Sequence, residues 1–239
     1  MEGHRTNMPY CMGSLYWQID DCWPVASWST IDYYGNWKAQ QYFARKAFRD
    51  IIVSPLIEHD SLYVYIVSDR LEDTQAILRT TLMDFEGSIL DERSFRVIIP
   101  ASASRVHLSE PVDRMTGNTG NDGDNGRILL HCELEINGGT YAENILYFTR
   151  VKDLELPVPS LEWVLSDTED ALKLNIRTDQ LAKNIYLSVP GKEVFFGDNY
   201  FDLLPGKEAE IGVEPGEGVT AGDIRQGLQV VSLVDSYVD

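Results

Sequence analysis

Met8-Pro9-Tyr10-Cys11-Met12-Gly13-Ser14-Leu15-Tyr16-Trp17-Gln18-Ile19-Asp20-Asp21-Cys22-Trp23-Pro24 is the stretch from which the fold of this chain is read. Its centre, Met12–Gln18, is a short apolar run holding Leu15, Tyr16 and Trp17, the pattern of a buried strand. Ahead of it, Gly3–Asn7 reads as the end of a helix, stopped near Pro9 because the residue before a proline avoids the α region. Behind it, Asp20 to Gly35 reads as a long loop, with Pro24, Ser27, Ser29 and Asp32 as turn formers. Trp37 to Phe48 then repeats Trp37, Gln40, Gln41, Ala44 and Phe48 at three- and four-residue spacing, with Lys38, Arg45, Lys46 and Arg49 outward, which predicts a helix. Helix, strand, loop and helix do not make a domain, because a strand buried on both faces needs neighbouring strands to pair its backbone. Residues 1–50 are therefore expected to be one βα unit of a larger parallel sheet or barrel.

Four of the five tryptophans, Trp17, Trp23, Trp28 and Trp37, fall in this region, among Tyr10, Tyr16, Tyr33 and Tyr34. Rings at this density either bury one another or bind something flat and partly apolar. Trp23, Trp28 and Trp37 are expected to anchor the loop and pack the helix. Cys11 and Cys22 are expected to be small buried hydrophobes. With Cys132 they make three cysteines and no CxxC spacing, so neither a disulfide framework nor a zinc pattern is present.

From Ile51 the pattern changes to period two with β-branched residues. Strands are predicted at Ile51–Leu56, Leu62–Ser68, Ala76–Met83, Ser94–Ile99, Ile128–Ile136 and Ala142–Phe148, with turns at Asp84–Gly87 and Asn137–Gly139. This spacing predicts an immunoglobulin-like β-sandwich over residues 51–152. Gly117–Gly126 is too polar and glycine-rich to bury, so a mobile, solvated loop is expected there. Its composition is like that of a calcium loop, but it lacks the spaced terminal glutamate of an EF-hand. Lys152–Ser160, with Pro157 and Pro159, reads as a linker into a second sandwich over residues 153–239. Its strands are predicted at Leu161–Leu165, Ala171–Thr178, Asn184–Val189, Tyr200–Leu204, Glu208–Val213 and Leu228–Ser236, with Trp163 in the core. The fold class is thus mainly β: two immunoglobulin-like sandwiches preceded by one βα unit of a truncated (β/α)8 barrel.

The net charge of −18 argues against a nucleic-acid partner, whose phosphates such a surface repels. Residues 1–50 hold five acidic and five basic side chains, so the excess lies in the sandwiches. An acidic body with a neutral aromatic end suits an uncharged ligand. No apolar run is long enough for a membrane span. The first residues lack the apolar core of a signal peptide. His4, His59, His107 and His131 show no ligand spacing, so no metal site is expected.

Met8–Pro24 resembles a stretch of the β-mannosidases of glycoside hydrolase family two. The likeness continues through Ser27-Trp28-Ser29, Ile31-Asp32-Tyr33-Tyr34-Gly35 and Trp37-Lys38-Ala39. A second stretch, Gly197-Asp198-Asn199-Tyr200-Phe201-Asp202-Leu203-Leu204-Pro205-Gly206, resembles the terminal immunoglobulin-like domain of the same enzymes. The resemblance implies that the first motif is the eighth barrel strand with its loop, where barrels bind ligands. Trp17 would then lie at the floor of the sugar site, with Gln18, Asp20, Asp21 and Trp23 on its rim. Asp20 stands where these enzymes commonly carry asparagine, which removes a hydrogen-bond donor.

The resemblance implies a parent that removes terminal β-linked mannose from oligosaccharides with retention, without metal or organic cofactor. Retention requires two carboxyl groups about 5–5.5 Å apart. In the family both are glutamates, on the fourth and seventh barrel strands, and the only glutamate in residues 1–50 is Glu2. The chain alone is therefore expected to be inactive, with its aromatics exposed or folded back onto the first sandwich. The partners implied are a β-mannoside oligosaccharide and the remainder of the barrel. The competing reading is a non-catalytic carbohydrate- or protein-binding sandwich module. Asp20 and Asp21 are not expected to form a catalytic pair, since loop neighbours rarely converge on one substrate.

Overall fold

The computed structural model describes residues 1–117, 124–167 and 171–237. Its first elements are α1 (Glu2–Thr6), α2 (Ala39–Ala47), β1 (Ile51–Glu58), β2 (Ser61–Ser68), β3 (Thr74–Asp84), β4 (Ile89–Ile99), β5 (Ala103–Pro111), α3 (Val112–Thr116), β6 (Ile128–Ile136) and β7 (Gly139–Tyr147). There follow β8 (Leu161–Asp167), β9 (Leu172–Thr178), β10 (Ala182–Ser188), β11 (Val194–Phe196), β12 (Phe201–Leu203), β13 (Glu208–Pro215), α4 (Ala221–Gly227) and β14 (Gln229–Val231). These form two compact units: residues 1–17, 43–84 and 88–155, and residues 18–42, 85–87 and 156–239.

The first unit is a sandwich of a three-stranded sheet, β1-β2-β5, and a four-stranded sheet, β4-β3-β6-β7. Alternate residues supply its core: Ile51, Val53, Leu62, Val64 and Ile66 from one sheet, Leu78, Leu82, Leu130 and Leu134 from the other. The β6–β7 hairpin turns on Asn137 and Gly138, both at positive φ (55° and 81°), as a two-residue turn of matching twist requires. α1 is tied to this sandwich. Arg5, buried, donates to the carbonyls of Ala47 (2.7 Å) and Arg49 (2.6 Å) and to Asp69 (2.8 Å). Glu2 accepts from Ser54 (3.1 Å) and Asn144 (2.9 Å).

β5 has no counterpart among the predicted strands. Its buried positions hold Ser104 and Glu110, where an apolar alternation would show a strand. Ser104 donates instead to the Thr6 carbonyl (2.9 Å), and Glu110 pairs with Arg93 and Arg114. A register shift against β2 also leaves His107 as the extra residue of a bulge, which breaks the period.

The second unit packs β12-β10-β14 against β11-β13-β9-β8. Leu174, Ile176, Ile185, Leu187, Ile211 and Val213 form its core, with Trp163 partly buried against it. The strand predicted over Leu228–Ser236 is shorter: β14 ends at Val231, and Leu233–Ser236 is a 3-10 turn. β11 and α4 are additions to the predicted elements. α4 starts at a capping box in which Thr220 and Asp223 satisfy each other's backbone N–H.

The largest departure from expectation lies in Met12–Gln18. It forms no strand ladder, and Met12 (71%), Leu15 (100%) and Trp17 (75%) are exposed rather than buried. Among the described residues no parallel neighbour pairs with it, so the apolar run has nothing to bury against. Cys22 is likewise exposed and Cys11 half-buried, while Cys132 is buried in the first core. Residues 118–123, the centre of the stretch expected to be a mobile loop of calcium-loop composition, lie outside the described residues. Among the described residues no helix is long and apolar enough to cross a membrane.

Candidate functional site

The long loop after Trp17 is held at its base by backbone pairing. Asp20 and Ile31 form a parallel bridge, and Ile31 and Trp37 an antiparallel one. The N–H of Thr30 donates to the carbonyls of Gln18 (3.1 Å) and Ile19 (3.0 Å), and that of Ile31 to Ile19 (2.8 Å). The Thr30 side chain also donates to the Ile19 carbonyl (3.0 Å) and is fully buried. Asp32 closes the far turn, accepting from the N–H groups of Tyr34 and Asn36 (2.9 Å each) and from the Asn36 amide (3.0 Å).

Asp21 is the hub of this loop. Its buried carboxylate accepts from Ser27 Oγ (2.6 Å), Ser29 Oγ (2.6 Å), Lys38 Nζ (3.3 Å) and Gln18 Nε2 (3.4 Å). The Ser27 and Ser29 hydroxyls, then Lys38, hold its pKa down to about 2 against the opposing effect of burial. Asp21 thus faces inward, bound to its own loop. Gln18 is half-buried beside it, and Asp20 points to solvent while its backbone bridges Ile31. The structure therefore brings Gln18 and Asp21 together, with Asp20 at the adjoining base of the loop.

The tryptophans divide differently from the expectation. Trp23 (66%) and Trp28 (79%) are exposed, so neither anchors the loop through its ring. Trp37 does pack, edge-on against Tyr42 (5.3 Å between centroids) and Phe195 (5.2 Å). Trp17, the residue expected at a sugar-site floor, ends the first unit with its indole exposed.

Two arrangements escape reading from the sequence. In the second unit a cleft of about 620 Å³ opens beside Trp37, Tyr42, Tyr186, Phe195 and Tyr200. Its tyrosines 186 and 200 lie 5.0 Å apart with an interplanar angle of 32°. Burial, with Tyr186 alongside, pushes the Tyr200 phenol above its usual range. Two lining residues approach closely: a Cβ on Gly216 would meet the Glu193 carbonyl at 2.6 Å. Of the stretches singled out in the sequence, Ile31–Gly35, Trp37–Ala39 and Gly197–Gly206 supply lining residues, but nothing along the chain joins them.

In the first unit, His131 lies between Glu143 (Nε2 to Oε2, 3.1 Å) and Glu133 (Nδ1 to Oε2, 3.5 Å). Histidine spacing alone misses this group because Glu143 comes from the neighbouring strand. Each residue of the group offers one metal-ligating atom within 4.8 Å of the others. The two ring nitrogens, however, face different carboxylates, Nε2 hydrogen-bonded to Glu143 and Nδ1 at ion-pair distance from Glu133.

Comparison with known proteins defines the setting of these residues. Residues 60–153 match the mannosidase Ig/CBM-like domain and residues 156–236 the mannosidase Ig-fold domain. β-Mannosidase A of Aspergillus clavatus is 32% identical over 243 residues, covering 95% of this chain and 26% of its own length. The chain belongs to the β-mannosidases of glycoside hydrolase family two, as a C-terminal portion. The β-mannosidase of Capra hircus is 27% identical over 95% of the chain and 26% of its own length. The crystal structure of the β-D-mannosidase of Dictyoglomus thermophilum superposes with a TM-score of 0.82 at 27% identity, over 97% of this chain and 27% of that one. This β-mannosidase portion thus spans about a quarter of the length of these relatives.

Proposed function

We propose that the chain is the C-terminal part of an exo-acting, retaining β-mannosidase that releases terminal β-linked mannose from oligosaccharides. In this reading residues 1–50 close the catalytic barrel, and residues 51–152 and 153–239 are sandwiches that brace it. The observation that carries the proposal is the exposure of Tyr10 (96%), Leu15 (100%) and Trp17 in the first unit and of Trp23 and Trp28 in the second, apolar area of a kind that soluble chains cover. The rest of a barrel would cover it and create the sugar site at the same time.

Within that site Trp17 offers a ring face to the C–H face of the pyranose. Gln18, Asp20 and Trp23 line the rim, and Asp21, through Ser27, Ser29 and Lys38, keeps the rim in shape. Both catalytic glutamates lie outside this chain in this reading. Glu2, the one glutamate near the motif, is already engaged by Ser54 and Asn144.

The test is hydrolysis of a chromogenic β-mannoside by the purified 239-residue chain at high protein concentration. No release above buffer is expected. Turnover abolished by Asp20→Ala or Asp21→Ala would show that the acids lie within this chain and overturn the assignment. The second reading, a non-catalytic carbohydrate-binding sandwich, draws on the tyrosine-lined cleft of the second unit.

A further inference from the structure

We propose that the cleft beside Tyr186 and Tyr200 is itself a binding site for a neutral β-linked disaccharide. It uses neither the exposed loop rim nor any residue outside the chain. The choice of a mannose-configured probe rests on the function proposed above; the site itself does not.

Three observations converge on it. The cleft, at about 620 Å³, lies in the usual range for small-ligand sites, roughly 300–1,000 Å³. Its wall carries two tyrosine rings 5.0 Å apart and tilted by 32°, with Tyr186 partly open to solvent (38%). Such rings stack on the C–H faces of pyranoses while their hydroxyls meet the sugar's polar edge.

The third observation is backbone strain. Tyr200 sits at φ 57°, a left-handed conformation that an aromatic residue rarely adopts. Continuing the register in which Phe201 faces Ile185 would bring the Asn199 backbone opposite Leu187. The Asn199 side chain takes that place instead. Its Oδ1 accepts from the N–H of Leu187 (2.8 Å) and Tyr200 (3.0 Å), and its Nδ2 donates to the Leu187 carbonyl (3.0 Å). The chain thereby leaves the sheet at Tyr200 and sets its ring against Tyr186. Strain of this kind persists where surrounding contacts over-determine it, commonly at ligand sites.

Charge selects the ligand class. Asp32, Glu193 and Glu214 line the cleft, and its two lysines are paired, Lys38 with Asp21 and Lys192 with Asp223 (3.3 Å each). In a chain of net charge −18 this lining repels anions, while carboxylates accept hydrogen bonds from sugar hydroxyls.

The experiment is a ¹H–¹⁵N titration of the full chain with β-1,4-mannobiose and cellobiose, with a uronic-acid disaccharide as the charged control. Saturable shifts confined to the cleft lining, within residues 32–42, 186–200 and 214–216, are expected for a neutral disaccharide and not for the charged one. Tyr186→Ala should weaken binding about tenfold, the loss of one stacked ring, with unchanged thermal unfolding. Tyr237→Ala, at an exposed tyrosine outside the cleft lining, should bind as the parent does. Three results overturn the proposal: no saturable binding, equal binding by Tyr186→Ala, or binding lost in Trp23→Ala but kept in Tyr186→Ala. Because the titration needs no turnover, an inactive chain leaves this test intact.

Discussion

Replacing Asn199 with alanine would remove the amide that stands in for a strand beside Leu187. The Leu187 N–H and C=O, in a residue 2% exposed, would both lose their partner. An unpaired buried backbone group costs about 1–3 kcal/mol, so the two together set a loss of roughly 2–6 kcal/mol. The Tyr200 N–H loses its acceptor as well, and with it the contact that supports the left-handed turn. For a sandwich of this size each kcal/mol shifts the midpoint by roughly 4–8 °C. The unfolding of the second unit should therefore fall by at least about 8 °C. The assay is thermal unfolding by circular dichroism, with urea unfolding to confirm that the m-value is unchanged. A loss below about 1 kcal/mol would mean that another group takes over the amide's two contacts, and would refute the strand-substitute reasoning. The same variant should weaken disaccharide binding, since Tyr200 would no longer be held in the cleft.

Two further outcomes follow from the site and the core. Asp21 has a carboxyl pKa lowered from 3.8 to about 2, so its contribution to loop order is complete above pH 3.8 and is lost as pH falls through about 2. Hydrogen exchange over residues 18–31 should reproduce that window, and Asp21→Asn should remove the pH dependence while loosening the loop at neutral pH. The Cys132 thiol, pushed up to about 12 by burial, should resist a disulfide reagent in the native chain, whereas exposed Cys22 reacts at once. Rapid labelling of Cys132 without denaturant would show that the first core opens readily.

Much of the molecule is legible one residue at a time. Strands such as β2, whose burial alternates from Ser61 to Ile66, and the Asn137–Gly138 turn are local facts, set by side-chain size and by backbone preference. The motif around Trp17 likewise identifies the family. Other features resist such reading because their partners are distant. β5 looks polar because Ser104 and Glu110 are satisfied by residues from α1, β4 and α3. The β1–β2 hairpin turns on His59 and Asp60, both left-handed with no glycine to mark the turn. The loop tryptophans read as anchors, yet the anchor is the Asp21 carboxylate, and only distances distinguish a rim acid from a buried hub.

By itself, then, the sequence determined the two-sandwich architecture, the family, and the aromatic character of residues 10–37, because periodicity and motif are properties of neighbours along the chain. The tertiary structure alone decided that Met12–Gln18 forms no ladder, that Asp21 turns inward, and that Tyr186 and Tyr200 share a cleft. The physical reason is common to all three. A strand needs a partner backbone, a carboxylate needs donors, and a stacked ring needs a second ring, and each of these is placed by long-range packing.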